Sequence, residues 1–309
     1  GFTLPGKIIV GSDSHTTTYG AFGAFSTGIG RSEMAVIFAT GKIWFRVPES
    51  IKITVDGVLP KGITSKDLIL FIIGTMGADG ALYQSVEFYG AAISDLSVGS
   101  RMTITNMSVE MGAKNGFIEP DGKLLKWLDN RARGDFEVIK ADADTRYEKS
   151  FTYDISQLTP QIACPHTVDN VKSVSEVAGT KVNQAFLGSC TNGRLEDLKI
   201  AATLIEGKKV HPNVRLLIFP ASMNIYRKAM EAGYLTVLSN AGAIIMNSGC
   251  GPCLGAHSGV MAPGEVCISS SNRNFKGRMG SPDAEVYLGS PASVTAAAIT
   301  GEIVDFRDL

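Results

Sequence analysis

The chain has 309 residues, 44% hydrophobic and 19% charged, enough apolar material to bury substantial cores and a length that favours two or three domains over one. With 29 basic and 30 acidic residues the net charge is -1, which excludes a global field for nucleic acid or an anionic membrane surface, so any acidic ligand has to be recognised locally. The longest apolar stretches, such as residues 68–73 and 242–246, fall far short of the ~20 residues of a membrane helix, and five cysteines are too few for a disulfide scaffold; a cytoplasmic protein in a reducing compartment is expected.

In chain order, Gly1 to Gly6 resembles neither a start-codon product nor a signal peptide with a basic front, so a preceding segment is expected. Lys7 to Val10 reads as a short strand, followed by a Gly/Ser/Thr-rich loop and a helix from Arg31 to Thr40. Inside that loop, Gly23 to Gly30 imitates a dinucleotide-binding turn but fails the pattern: counted from Gly28 and Gly30, the third glycine falls on Glu33. Ile51 to Val55 alternates like a strand, and Ser65-Lys66-Asp67 opens a helix through the apolar-periodic stretch Leu68 to Met76. Asp129 to Lys149 is rich in charge, and a linker is expected near residues 150–165.

The second half restarts the same grammar. Gln184 to Leu187 is a predicted strand, Leu195 to Ile205 an amphipathic helix, and Val214 to Phe219 a buried strand. Ala243 to Met246 and Val266 to Ser269 supply further strands, each ending in a polar, glycine-rich turn. The alternation predicts an α/β fold with parallel sheets, and in such sheets ligands sit beyond the carboxyl ends of the strands, where these turns lie. There is no strong internal repeat or low-complexity segment.

Cys250 and Cys253 form a C-G-P-C pair directly after one apolar strand, and Cys190 follows another in Gly188-Ser189-Cys190-Thr191-Asn192-Gly193-Arg194. The pair alone is compatible with a thioredoxin-like dithiol or half a zinc site, to which Cys164 and His166 could contribute. Three thiolates also suit a 4Fe-4S cluster with one iron open to substrate as a Lewis acid. On spacing alone, cluster, zinc and dithiol stay open.

Three further polar clusters accompany the cysteines: Gly11-Ser12-Asp13-Ser14-His15-Thr16, Asn106-Met107-Ser108-Val109-Glu110-Met111-Gly112 and Ser271-Asn272-Arg273-Asn274-Phe275-Lys276-Gly277-Arg278. Together with the two cysteine motifs, in this order and over the whole chain, they resemble the aconitase superfamily, and the last run looks like its isopropylmalate isomerase and homoaconitase branch.

The resemblance implies several three-layer α/β domains with parallel or mixed sheets around a cluster-containing cleft. Residues 1–48 would be the remnant of a first domain, 49–150 a second, and 151–309 a third that carries Cys190, Cys250 and Cys253 as ligands of a 4Fe-4S cluster with one iron not bound by cysteine. Cys164 and Cys267 match no ligand and are expected as buried small hydrophobes. Asp13, His15 and Glu110 are similar to the family's acid-base network, with His15 paired to Glu110 and Asp13 to a histidine not present in this sequence; the bland alternative for Asp13-Ser14-His15 is a capped turn. Arg273 and Arg278 match residues that grip substrate carboxylate, against the alternative of solvated surface arginines, and Ser14 is a further substrate donor. Asn106 and Asn272 are expected near the cluster, and His211 and His257 are taken as structural.

By the same resemblance the function is isomerisation of a hydroxy di- or tricarboxylic acid by dehydration and rehydration. The leading substrate pair is 3-isopropylmalate and 2-isopropylmalate of leucine biosynthesis; the alternatives are a homocitrate-type substrate or, in another class, a cluster-free RNA-binding relative, for which the electrostatic footprint is lacking. An acid pair upstream of Asp13 and a swivelling domain with a serine base are absent from this sequence. The latter is expected on a separate small subunit, in a heterodimer or heterotetramer.

Overall fold

Two strand patterns occur in this protein, alternation of buried and partly exposed residues as in Ser50–Asp56 and continuous buried runs as in Gln184–Gly188. In the computed structural model, which describes residues 1–309, the backbone divides into two units, one of residues 1–59 and 76–157, the other of residues 60–75 and 158–309.

The first unit holds two sheets. β1 (Ile8–Gly11) and β2 (Phe25–Gly28) form a parallel pair, Ile8 opposite Phe25, with the 3-10 stretch Ser14–Phe22 as the crossover between them. β3 (Ser50–Asp56), β4 (Ser85–Tyr89), β5 (Asn115–Ile118) and β6 (Lys149–Asp154) make an all-parallel sheet of order β5-β4-β3-β6. On β3 the period of two places Ile51, Ile53 and Val55 inward, all fully buried, and leaves Lys52 and Thr54 half-exposed. Each inward side chain contributes roughly 1.5–3 kcal/mol by leaving water. The helix Val98–Met107 is started by Ser97, whose side chain accepts from the Ser100 N–H, and buries Ile104 and Met107. Its Arg101 is 1% exposed and makes a fork to Asp121, Nη1 to Oδ1 at 2.9 Å and Nη2 to Oδ2 at 2.5 Å. The helix Arg31–Thr40 forms as expected but buries nothing fully, and Phe38 is 83% exposed.

The linker expected near residues 150–165 is shorter than its composition indicated. Residues 149–154 are β6, registered along β3 from Ile51 opposite Lys149 to Asp56 opposite Asp154. Phe151 and Tyr153 occupy one face of this edge strand and polar residues the other, so its charge content is that of a solvated edge and not of a tether. Only residues 155–160 separate it from the next strand.

The second unit holds one sheet, formed by β7 (Gln161–Ala163), β8 (Val171–Ser173), β9 (Gln184–Gly188), β10 (Arg215–Phe219), β11 (Ile244–Ile245), β12 (Val266–Ser269) and β13 (Glu285–Leu288). Its order is β11-β10-β9-β12-β13-β7-β8, parallel from β11 to β13 and antiparallel at β7 and β8. The chain runs outward from β9 through β10 to β11, then returns to the other side of β9 with β12. That reversal is a topological switch point, and the crevice it opens lies beyond the carboxyl ends of β9 and β12. The helices Leu195–Ile205 and Pro291–Thr300 carry Leu198, Ala201, Ile205, Val294 and Ala297 into a core with Leu187, Leu216, Ile218 and Ile268. The helix Ser65–Met76 comes from the middle of the first unit's sequence yet packs almost entirely in the second, with Lys66 and Asp67 wholly buried.

Candidate active site

In the first unit the end of β1 delivers Asp13, Ser14 and His15. Asp13 is the cap of the 3-10 stretch, its Oδ1 accepting the His15 N–H at 2.7 Å, and Thr16 Oγ1 donates to the Asp13 carbonyl at 2.7 Å. The bland reading of this tripeptide therefore describes its local structure. It holds in addition that the cap aims His15 inward: His15 Nε2 lies 2.8 Å from Glu110 Oε1, and the two side chains are 7% and 8% exposed. Asp13 Oδ1 and Ser14 Oγ flank the other ring nitrogen, Nδ1, at 3.6 and 3.4 Å. Gly28, at the end of β2, is required here, because a Cβ would come within 2.7 Å of the Ser14 Cα.

Glu110 arrives from a turn just after the helix Val98–Met107, 95 residues from its partner. Asn106 joins the two elements, its Nδ2 donating to Thr18 Oγ1 at 2.8 Å while its carbonyl accepts from Thr17 Oγ1 at 3.2 Å. Beside them is a cavity of about 510 Å³ lined by Ser12, Ser14, Thr17, Gly28, Glu33 and Lys114. A buried imidazole held by a carboxylate is equipped to carry a proton to or from a hydroxyl.

In the second unit, Cys190 stands two residues beyond β9, Asn272 and Arg273 just beyond β12, and Cys250 and Cys253 after β11. The turn at Cys190 is tight: Ser189 is left-handed at φ 71°, and a Cβ on Gly188 would meet the Phe219 carbonyl at 2.2 Å. Asn272, 1% exposed, bridges two of the thiols; Cys253 Sγ donates to its Oδ1 at 3.5 Å, and its Nδ2 donates to Cys190 Sγ at 3.7 Å and to Thr191 Oγ1 at 2.9 Å. Cys250 is exposed, Cys190 half-buried and Cys253 buried. No three Cys, His, Asp or Glu side chains converge as they would around a single ion. Three cysteines on the turns after β9 and β11, two of them joined by Asn272, are donors of the kind a cluster uses, whose thiolates bind separate irons. Burial pushes the Cys267 thiol up to about 12 and the Cys164 thiol upward as well, so both stay protonated, as small hydrophobes do.

The arginines differ from each other. Arg273 is half-buried beside Asn272, whereas the Arg278 guanidinium lies over the Phe275 ring at 5.3 Å with its Nε buried and unbonded. The Arg278 carbonyl packs against Gly255, which closes the turn carrying Cys250 and Cys253.

Three residues around this site were given no role by the motifs. Arg194 donates to the carbonyls of Cys190 and Thr191 at 2.7 and 2.5 Å. Its own N–H binds Asp197, a carboxyl that burial pushes up to about 6 although the Arg194 charge pulls it down. Phe219, fully buried at the end of β10, is the floor under Gly251. Lys66 donates to the carbonyls of Ser270 and Ser271. Of these only Arg194 lies inside a motif; for the others the signal is spatial.

Relatives of known kind extend along nearly all of the sequence. The chain matches the aconitase family (aconitate hydratase) over residues 1–301. It is 56% identical over 309 residues to the probable methanogen homoaconitase large subunit of Methanosarcina mazei, covering 100% of this chain and 78% of that one. It is 52% identical to 3-isopropylmalate dehydratase large subunit 2 of Archaeoglobus fulgidus, covering 99% and 74%, and 52% identical to large subunit 1 of Methanopyrus kandleri, covering 99% and 73%.

Proposed function

We propose, since this chain belongs to the aconitase family, that it is the large subunit of a hydro-lyase interconverting 3-isopropylmalate and 2-isopropylmalate by dehydration and rehydration. What carries the reading is the unbroken similarity to large subunits of 3-isopropylmalate dehydratase, together with the grouping of Cys190 and Cys253 around Asn272. A homocitrate-type substrate is the second reading, favoured by the 56% identity to a homoaconitase subunit. The reaction belongs to cytoplasmic leucine biosynthesis under the first reading, and no helix is long and apolar enough to cross a membrane.

Cys190, Cys250 and Cys253 would hold a 4Fe-4S cluster, and when bound it supplies a Lewis-acidic iron that no cysteine ligates, at which a substrate hydroxyl can be polarised. The chain's own residues do the rest of the work assigned to it. Glu110 takes the Nε2 proton of His15 as a hydrogen bond and fixes the ring, which leaves Nδ1 to exchange a proton with the departing or returning hydroxyl. Asp13 and Ser14, which flank Nδ1, hold that proton in place and orient the hydroxyl. Arg273 presents a guanidinium fork to a substrate carboxylate, and Arg278, held flat by Phe275, serves the same anion. Asn272 keeps two thiols in register, and Asn106 supports the His15–Glu110 pair and is assigned near the cluster. We infer three family domains, divided at residue 48 and, because β6 continues the sheet of β3 through Asp154, after that strand instead of at residue 150. The base for the carbon-bound proton comes from a small subunit bearing the swivelling domain, in a heterodimer or heterotetramer.

The test is a titration of the anaerobically reconstituted protein with that small subunit, followed by dehydration of 3-isopropylmalate and of homocitrate. Activity should appear only with the partner, saturate at a fixed ratio and favour 3-isopropylmalate in kcat/KM. A preference for homocitrate would select the second reading, and full turnover without a partner would sink the two-chain assignment.

A further inference from the structure

Lys66 is 0% exposed, and a buried ammonium is costly unless its protons are satisfied. Backbone carbonyls meet two of them, Nζ donating to the carbonyl of Ser270 at 3.0 Å and to the carbonyl of Ser271 by a still shorter contact. Those two residues are the hinge between β12 and the loop of Asn272 and Arg273. The contacts continue in two directions. Ser270 Oγ accepts the N–H of Gly188 at 3.0 Å, and Gly188 begins the tight turn that presents Cys190. Ser271, whose N–H is held by Ser269 Oγ at 3.0 Å, leads directly to Asn272 between Cys190 and Cys253. The helix bearing Lys66 is itself anchored, since the neighbouring Asp67 accepts from the N–H and hydroxyl of Thr64 and from the N–H of Gln161.

We propose that Lys66 is a positioning residue for the cluster-bearing site: its ammonium clamps the Ser270–Ser271 carbonyls and so holds the Cys190 turn, the Asn272 bridge and Arg273 in one arrangement. This rests on the cluster reading above and goes beyond it, because the bonds that place Lys66 here run to backbone carbonyls of the loop. Oriented carbonyls and a fixed cation next to an anionic centre tune how firmly the ligands keep their metal. A lysine that only filled the core would affect folding and nothing else.

The experiment compares wild type, Lys66→Gln and Ser270→Ala as full chains reconstituted with iron and sulfide and assembled with the small subunit. Three quantities are read: iron release into excess chelator, the melting temperature of the cluster-free protein, and the split between KM and kcat. Lys66→Gln is expected to release iron roughly 10- to 100-fold faster, the range seen when support of a metal ligand is removed, and to raise KM more than it lowers kcat, because Arg273 loses its mooring. Ser270→Ala leaves Lys66 intact but cuts the link to Gly188, so it should speed iron release while shifting KM less. A folded Lys66→Gln variant with wild-type iron release and KM would overturn the proposal, even if its melting temperature fell. Should that variant fail to fold, wild-type iron release from Ser270→Ala would overturn it alone. Wild-type protein that takes up no iron would overturn the cluster reading and this inference with it, an outcome distinct from the other two.

Discussion

The proton-handling residues of the first unit and the cysteines of the second are built in opposite ways. His15 and Glu110 are already in contact at 2.8 Å, both nearly buried, with a capped turn behind one and a helix end behind the other. The cysteines are graded from exposed to buried, and Cys190 and Cys253 meet through a bridging amide, Asn272. A pair of ionisable groups that stabilise each other can be preformed by the chain alone. Thiolates repel one another unless a ligand neutralises them, so what a chain can preform around its cysteines is a scaffold: here the Gly188 turn, the Phe219 floor and the Asn272 bridge.

The contrast breaks most visibly at the cysteines. Cys250→Ser should abolish activity and bleach the broad visible absorption of reconstituted protein, while Cys164→Ser, in a buried thiol, should keep both. Equal loss in the two variants would remove the ligand assignment. At the preformed pair the effect should fall on turnover. Glu110→Gln keeps the shape but no longer sets the charge of His15, and a drop in kcat of about 10²- to 10⁴-fold with iron content unchanged is expected. Collapse of iron loading in that variant would show that Glu110 is structural and that the two regions are not separable as drawn.

The smallest effect concerns Asp197, which supports the Cys190 helix turn through Arg194 and Asn192. Burial raises its folded pKa from 3.8 to about 6, so the folded protein binds this proton more tightly than the unfolded chain. The stability it contributes is full below the unfolded pKa and is lost as pH rises through about 6. Asp197→Asn keeps the bond from the Arg194 N–H and, once the Asn192 amide turns over, replaces the other by one donated to Asn192 Oδ1, without that titration. Its melting temperature should therefore gain on wild type by a few degrees between acidic and neutral pH, and parallel curves across the range would mean that Asp197 does not titrate there.

Much of the frame was legible beforehand because it depends on local periodicity. The helices Arg31–Thr40 and Leu195–Ile205 and the strand Val266–Ser269 occupy the residues their patterns mark. The linker was misjudged because β6 is an edge strand, whose outward residues are as polar as those of a loop. Lys66 was read as part of a helix start, and nothing along the chain distinguishes a solvated lysine from one whose ammonium is consumed by carbonyls 204 and 205 residues away.

The sequence by itself determined the α/β alternation, the polar turns that close its strands, the three candidate thiols and the family to which their order belongs, since each of these is a matter of spacing along one dimension. The pairing of His15 with Glu110 across 95 residues was implied by that resemblance, and tertiary structure gave its contact; tertiary structure alone decided that β9 and β12 open the crevice where Cys190 and Asn272 face each other, and that the helix Ser65–Met76 leaves its sequence neighbours to join the second unit. The reason is physical: a hydrogen bond or a buried charge is satisfied by whatever group lies within about 3 Å, and which group that is depends on how sheets order their strands, a property no local pattern contains.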